Sequence, residues 1–292
     1  MSTVAQICYN NRMDKLKISG TGLTGLVGSR IVELLKDDFD FTPIPFSDMD
    51  ITNKDAVNRK LFETDFDIFL HAAAYTNVDG AEQDHDTAYN LNVTGTKNVF
   101  ETVTNKRKKF MYISTDFVFD GQHAPATESS APNPISIYGR TKLEGEQIVG
   151  HNGMIVRISY PYRAVFDQKK DVVRSIIDLL KSGTRIKGIT DQILTYTFID
   201  DIAFSLKHLL TNFSPEIYHV VGADSQNGYD SILQICDVFG LDKSKVDQTT
   251  YGEFYANRAA RPKNGTTIST KNNFYPMKTL HDGLLELKKQ MV

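Results

Sequence analysis

The sequence predicts an α/β protein built on a doubly wound parallel sheet, followed by a smaller C-terminal portion. Three observations carry this. Short apolar runs alternate with amphipathic stretches from residue 16 to about residue 160. That strand–helix rhythm gives parallel strands covered on both faces and joined by right-handed crossovers. Four glycines, Gly20, Gly22, Gly25 and Gly28, stand where the first strand meets the first helix. Past residue 160 the rhythm becomes irregular, and no internal repeat is evident.

Taken in order, residues 15–20 (KLKISG) read as a strand and 25–35 as a helix. A second strand at 41–46 is weakened by Pro43 and Pro45, which lack ladder donors. A helix at 54–62 leads to a third strand at 67–74 (DIFLHAAA), and apolar residues at helical spacing run over 86–103. A fourth strand at 109–114 (KFMYIS), a helix at 138–149 and a fifth strand at 154–158 complete the rhythm. The later part offers helices at 171–181, 200–210, 229–239 and 280–289, a strand at 217–221, and a Gly- and Thr-rich stretch at 182–197. The chain thus divides into a short mobile leader (1–15), a dinucleotide-binding domain (16–160) and a portion (161–292) that is mainly for substrate and returns some segments to the sheet.

Composition excludes several classes. With 292 residues the chain needs no disulfide or metal staple. At 40% hydrophobic and 24% charged it is neither disordered nor collagen-like. A net charge of −3 gives no general reason to bind nucleic acid or an anionic membrane. The two cysteines, Cys8 and Cys236, make no CxxC or Cys/His cluster, so no metal site is expected and a reducing, cytoplasmic setting fits. Residues 1–15 lack the apolar core of a signal peptide, and no run of 18 apolar residues spans a membrane.

The glycines match both G-x-G-x-x-G (20–25) and T-G-x-x-G-x-x-G (21–28). One glycine makes the tight turn, one admits a pyrophosphate, and one lets strand and helix pack closely. The helix N-terminus then offers unpaired N–H groups to an anion, with Leu26 and Val27 as main-chain donors. Alone the motif is a glycine-rich turn; its place between strand and helix makes it a nucleotide site. Asp48 lies 20 residues after Gly28 with no arginine beside it, which tilts the choice toward NAD and leaves NADP open.

Tyr138 and Lys142 stand four apart on one helix face. An ammonium about 4 Å from a phenol favours phenolate by up to about 4 kcal/mol at an effective dielectric near 20. That is enough to bring a tyrosine from about 10 toward about 7. Such a tyrosine passes a proton to a carbonyl oxygen, the step that accompanies hydride transfer to carbon. Among 13 tyrosines one Tyr-x-x-x-Lys arises by chance, so position carries the weight. The pair follows Ser114-Thr115-Asp116 at a strand's C-terminal end, where ligands bind in open parallel sheets. A hydroxyl of Thr115 or Ser114 is placed to hold a substrate oxygen beside Tyr138.

Four other features have plainer readings. His71 reads as a satisfied or solvent-facing histidine rather than a metal ligand. Asp79 and Glu82 read as a helix cap with a first-turn acid. The run Lys106-Arg107-Lys108-Lys109 reads as cations ending a helix. Asn92 reads equally as a buried polar bridge or a solvent-facing residue.

Together these stretches resemble the extended short-chain dehydrogenase/reductase superfamily, and within it the dTDP-4-dehydrorhamnose reductase family. The matching segments are TGLTGLVG (21–28), DITN (50–53), HAAAYTNVDGAE (71–82), NVTGTKNV (92–99), ISTDFVFDG (113–121), YGRTKLEGE (138–146), DQ (191–192) and RP (261–262). The resemblance implies a Rossmann-type dinucleotide domain, an NAD(P)H cofactor and a sugar-nucleotide substrate; a homodimer is compatible with this reading and not fixed by it. It also implies residue roles. Tyr138 is the proton donor, with Lys142 its partner and a holder of the nicotinamide ribose; Thr115 steadies the carbonyl and Asp116 lies beside the sugar. Gly22, Gly25, Leu26, Val27 and Gly28 cradle the pyrophosphate. Asp50 and Ile51 lie on the adenine side, and Ala74, Tyr75 and Thr76 line the cofactor. Tyr160 stands where relatives often place a tryptophan against the sugar, and Arg261 contacts the diphosphate.

Two segments depart from the family pattern: DQILTYT (191–197) lacks its Gly and Pro-Thr, and RPKNG (261–265) lacks its Asn-Ser. Both fall where substrate is gripped. A regulatory subunit of the same fold and a sugar-nucleotide epimerase remain as alternatives. A dehydratase lacks support, because Phe117 rather than an acid follows Asp116.

Overall fold

The computed structural model describes residues 15–291. The leader, apart from Lys15, and Cys8 lie outside the described residues. Five strands, β1 (Lys17–Thr21), β2 (Asp40–Ile44), β3 (Ile68–His71), β4 (Lys109–Thr115) and β5 (Met154–Ile158), join a sixth, Ile217–His219, in one sheet. The spatial order is Ile217–His219, β5, β4, β3, β1, β2, with every pairing parallel. Ile68, Phe69 and Leu70 are buried in succession, as are Phe110, Met111 and Tyr112, which suits strands covered on both faces. β2 tolerates Pro43 because it is an edge strand.

The helices are α1 (Gly28–Leu35), α2 (Lys54–Glu63), α3 (Val78–Ala81), α4 (His85–Tyr89), α5 (Thr96–Asn105), α6 (Ile137–Val149), α7 (Val172–Lys181), α8 (Ile199–Thr211), α9 (Gly228–Phe239), α10 (Tyr251–Phe254) and α11 (Leu280–Gln290). On one face Ile31 and Leu35 of α1 and Ile202 and Leu206 of α8 pack with Ile18 and Leu70. Arg30 ties these two helices by forking onto Asp200, at 2.7 Å through both nitrogens. On the other face Val57, Val99 and Val149 pack with Phe69 and Tyr112. A third core around Tyr162, Ile177, Phe198, Ile235 and Leu284 holds the later segments together. Among the described residues no helix is long and apolar enough to cross a membrane.

Three local expectations are corrected. The first helix begins at Gly28, not at residue 25, because residues 22–27 close as turns, with the Gly25 amide donating to the Gly22 carbonyl at 3.0 Å. The apolar run at 86–103 is α4, a π-helical stretch Asn90–Gly95, and α5. Here Asn92 turns its amide into the core and Gly95 presses on Ile51, where a Cβ would meet the isoleucine at 2.6 Å. The basic run does end a helix, with Lys106 as the C-cap of α5, and its side chain also reaches a second helix end. Its ammonium donates to the carbonyls of Leu61, Phe62 and Thr64, at the end of α2. The 182–197 stretch also contains short strands, Ile186–Ile189, Ile193–Leu194 and Thr197–Phe198.

One polar pair lies inside the fold. Arg157 of β5 forks onto Glu146 of α6, Nε to Oε1 at 2.9 Å and Nη2 to Oε2 at 2.6 Å, with both side chains under 5% exposed. Removing one partner strands the other charge. Arg157→Met is expected to cost about 3–5 kcal/mol of unfolding free energy in urea titrations. A loss below about 1 kcal/mol would contradict a native ion pair there.

Candidate active site

The sheet's chain order reverses at β1, with β2 on one side and β3 on the other. A crevice therefore opens beyond the carboxyl ends of these strands. A cleft of about 1180 Å³ occupies this place. Its floor is the glycine turn. Gly22 has φ +72°, and a Cβ there would lie 2.5 Å from the Ala72 carbonyl carbon and the Ala73 nitrogen. At Gly28 a Cβ would lie 2.2 Å from the Gly22 oxygen. Gly25 is different: its added Cβ would meet only the Gly22 oxygen, at 3.2 Å. Gly22 and Gly28 are thus needed for the turn, while Gly25 keeps the cleft open. The amides of Leu26 and Val27 have no hydrogen-bond acceptor among the described residues, and both residues line the cleft. Free N–H groups beside a helix start suit a phosphate, so the residues present fit a dinucleotide.

The helix above carries three polar residues one turn apart, Tyr138, Lys142 and Glu146, all buried. Ser136 caps this helix, accepting from the Gly139 amide at 3.1 Å. Lys142 donates from Nζ to the Ile113 carbonyl at 2.8 Å and sits 4.0 Å from the Tyr112 ring centre. Burial lowers Lys142 from 10.5 to about 7, against the opposing pull of Glu146. Ser114 and Thr115 both line the cleft, and the Ser114 hydroxyl is committed to Glu146 Oε1 at 2.5 Å.

The expectation that Lys142 draws Tyr138 toward neutrality is overturned. Burial pushes the Tyr138 phenol above 10; the Thr115 hydroxyl opposes this and Asp116 adds to it. The lysine is engaged with Ile113 rather than with the phenol. Tyr138 is therefore a protonated acid near pH 7, packed edge-to-face on Phe117 at 5.5 Å. Asp116 accepts from Ser159 at 2.7 Å and Thr115 at 3.1 Å, yet burial still raises it to about 6.

The far wall is aromatic and cationic. The Tyr160 ring lies 5.9 Å from Phe117 and 5.8 Å from Tyr196. Its backbone is held at φ +36°, and its buried hydroxyl has no partner among the described residues. Arg261 lies over Tyr255 at 4.8 Å and donates to Asp79 at 3.0 Å. Gln192 bonds the Pro262 carbonyl and accepts from Tyr255.

A model of the RmlD substrate binding domain matches residues 16–278. The chain belongs to this family. It is 29% identical over 276 residues to a dTDP-4-dehydrorhamnose reductase of Aggregatibacter actinomycetemcomitans, covering 89% of this chain and 92% of that protein. A crystal structure of dTDP-4-dehydrorhamnose reductase from Bacillus anthracis in complex with NADP superposes with a TM-score of 0.87 and 31% identity, over 94% of this chain and 99% of the other. It is also 26% identical over 261 residues to methionine adenosyltransferase 2 subunit beta of Bos taurus, covering 84% and 78%. The RmlD-like extended short-chain dehydrogenase/reductase architecture is thus established, with its six-stranded parallel sheet.

The fold gathers Gly22, Gly25, Leu26, Val27 and Gly28 with Ala74 and Thr76 at one end of the cleft. Thr115, Asp116, Tyr138 and Lys142 stand in the middle, with Tyr160 and Arg261 beyond. Asp50, Ile51 and Tyr75 lie outside this lining. Asp50 holds the amide and hydroxyl of Thr52, Ile51 is core, and Tyr75 exchanges backbone hydrogen bonds with Asn92. Asn92, which also donates to Thr141 at 2.9 Å, is therefore the buried bridge. His71 is satisfied, bonded to Thr21 at 2.6 Å and Thr96 at 3.1 Å, and burial lowers it to about 3. Asp79 and Glu82 serve tertiary contacts: Asp79 accepts from Ala259 and Arg261, and Glu82 from the Ile137 amide. Glu146 was missed in the sequence, although it stands one turn past Lys142. Gln192 lies in the matched Asp-Gln pair at 191–192, although no role was assigned to it, and Tyr255 gave no signal.

Lys142 makes stability depend on pH. The native lysine releases its proton near pH 7, while the unfolded one holds it to 10.5. Between these values the unfolded chain binds more protons, so native stability rises with pH and the lysine's penalty is full below 7. Relative to Lys142→Met, the wild type is expected to gain unfolding free energy from pH 7 to pH 10. Parallel curves for the two proteins would contradict the buried-lysine assignment.

Proposed function

We propose that the chain reduces the 4-keto group of a nucleotide-linked deoxysugar of the dTDP-4-dehydrorhamnose type. It is an NAD(P)-dependent oxidoreductase. The relatives named as reductases and the neighbour bound to NADP support this. The carrying observation is Tyr138, a buried phenol that holds its proton at the centre of the cleft, between the glycine turn and the aromatic wall. When bound, the reduced nicotinamide supplies the hydride.

The chain's own residues do the rest. Tyr138 gives its proton to the substrate oxygen as the carbonyl carbon is reduced, and regains one from solvent afterwards. Thr115 is the hydroxyl beside it that orients that oxygen. Lys142, one turn further along the same helix and in the same cleft, would hold the nicotinamide ribose. A neutral phenol is the form that can donate a proton in the reductive direction. Arg261 stands at the far wall for the sugar nucleotide's diphosphate, and the unpartnered Tyr160 hydroxyl suits a polar group of the sugar.

The two departures from the family pattern form one unit. Ile193–Leu194 pairs with Asn264–Gly265, Lys263 pairs with Asp191 at 2.9 Å, and Gln192 bonds Pro262. Changes in one segment therefore meet changes in the other, and both adjoin the wall where the sugar sits. The cofactor end is untouched by them. The sugar, more than the reaction, is where this chain differs from its relatives.

The likeness to an adenosyltransferase subunit supports a second reading, in which the chain binds a partner enzyme. One assay separates the two. Purified protein given dTDP-4-dehydrorhamnose with NADH or NADPH should oxidise the cofactor. Tyr138→Phe should lower kcat by about 10²–10⁴-fold while leaving cofactor Kd within about twofold. Equal turnover in the variant contradicts the role of Tyr138. No turnover by the wild type on dTDP-, UDP- or GDP-linked 4-keto-sugars, with a stoichiometric partner co-purifying, favours the subunit.

A further inference from the structure

The segment 164–170 leaves the sugar wall and crosses to the cofactor end of the cleft. It is anchored by the arginines that flank it. Before it, Arg163 donates to the Leu26 carbonyl at 3.3 Å and to Ser29 Oγ at 2.8 Å, both beside the glycine turn. After it, Arg174 pairs with Asp171 at 2.7 Å and donates to the carbonyls of Phe166 and Lys169, each at 2.6 Å. Arg174 is nearly buried, so these anchors are firm.

From this strap Lys169 reaches across and donates from Nζ to Thr76 Oγ1 at 2.7 Å. Lys170 next to it is neutralised by Asp178 at 2.6 Å. Lys169 has no carboxylate partner among the described residues. A lysine ammonium resting on a neutral hydroxyl has a weaker partner than an anion would be. Both Lys169 and Thr76 line the same cleft as Gly25, Leu26 and Val27, whose free amides already suit phosphate.

We infer that Lys169 is a phosphate-binding residue supplied by the second half of the chain, whose side chain swings from Thr76 onto the pyrophosphate of the bound dinucleotide. Position selects the pyrophosphate. Thr76 follows β3, in the centre of the sheet beside β1, whereas a ribose 2′-phosphate lies toward the end of β2. The substrate diphosphate belongs with Arg261, on the other side of Tyr138. Because the flanking arginines anchor the strap, only the side chain has to move. The inference rests on the dinucleotide reading of the cleft and not on which sugar is reduced.

The test measures Kd for three probes, NADH, NADPH and dTDP, with wild type, Lys169→Gln and Lys169→Arg. Lys169→Gln should weaken NADH and NADPH alike by about tenfold, and flatten the dependence of their affinity on salt. Lys169→Arg should stay within about threefold of wild type, and dTDP should be unaffected by either change. A loss confined to NADPH would assign the lysine to the 2′-phosphate, and a loss confined to dTDP to the substrate; each overturns the inference, as does no loss at all. If the wild type binds neither dinucleotide, the reading of the cleft fails first, which is a separate result.

Discussion

The structure depends on burying a polar row. Tyr138, Lys142 and Glu146 lie one turn apart on α6, and all three face the ends of β4 and β5 instead of solvent. A helix can do this only if each group finds a partner. Glu146 is held by Arg157 and Ser114, and Lys142 by the Ile113 carbonyl and the Tyr112 ring. Tyr138 alone keeps its polar atom for the cleft. The same burial that anchors the helix raises the phenol and lowers the lysine, so packing and acid–base chemistry have one origin.

The network extends past the active site. Arg157 reaches His219 at 3.4 Å, and the His219 amide donates to Glu128 at 3.1 Å. Glu128 in turn receives Ser269 and the amide and hydroxyl of Thr270. Burial alone would raise Glu128, but these donors outweigh it and hold it near 2. Chain segments from both halves are thereby tied to the back of α6. This joins the strand that carries Thr115 and the loops that shape the sugar wall into one body.

Much of this was legible in the sequence. The glycine turn, the five apolar strands and the Tyr138–Lys142 spacing follow from local rules, since each is set by residues within one or two turns of each other. What was not legible depends on partners far away in the chain. Helical spacing placed Lys142 beside Tyr138 but gave no hint that the Ile113 carbonyl would engage the ammonium. It therefore gave the right proton donor but the wrong direction for its pKa, which burial raises. The π-helical stretch required knowing that Asn92 bonds Tyr75, and Lys106 required knowing where α2 ends. Asp50 holds Thr52 in a turn and Ile51 packs in the core, contacts that the sequence alone did not reveal.

The central claim is that Tyr138 stands, with its proton, where the substrate carbonyl is reduced. The most direct measurement is a crystal structure with NADP and a 4-keto- or 4-hydroxy-sugar nucleotide bound. The account predicts Tyr138 Oη within about 3.2 Å of the sugar O4, with the Thr115 hydroxyl on the same oxygen. A sugar seated elsewhere, with the phenol facing only protein, would contradict it.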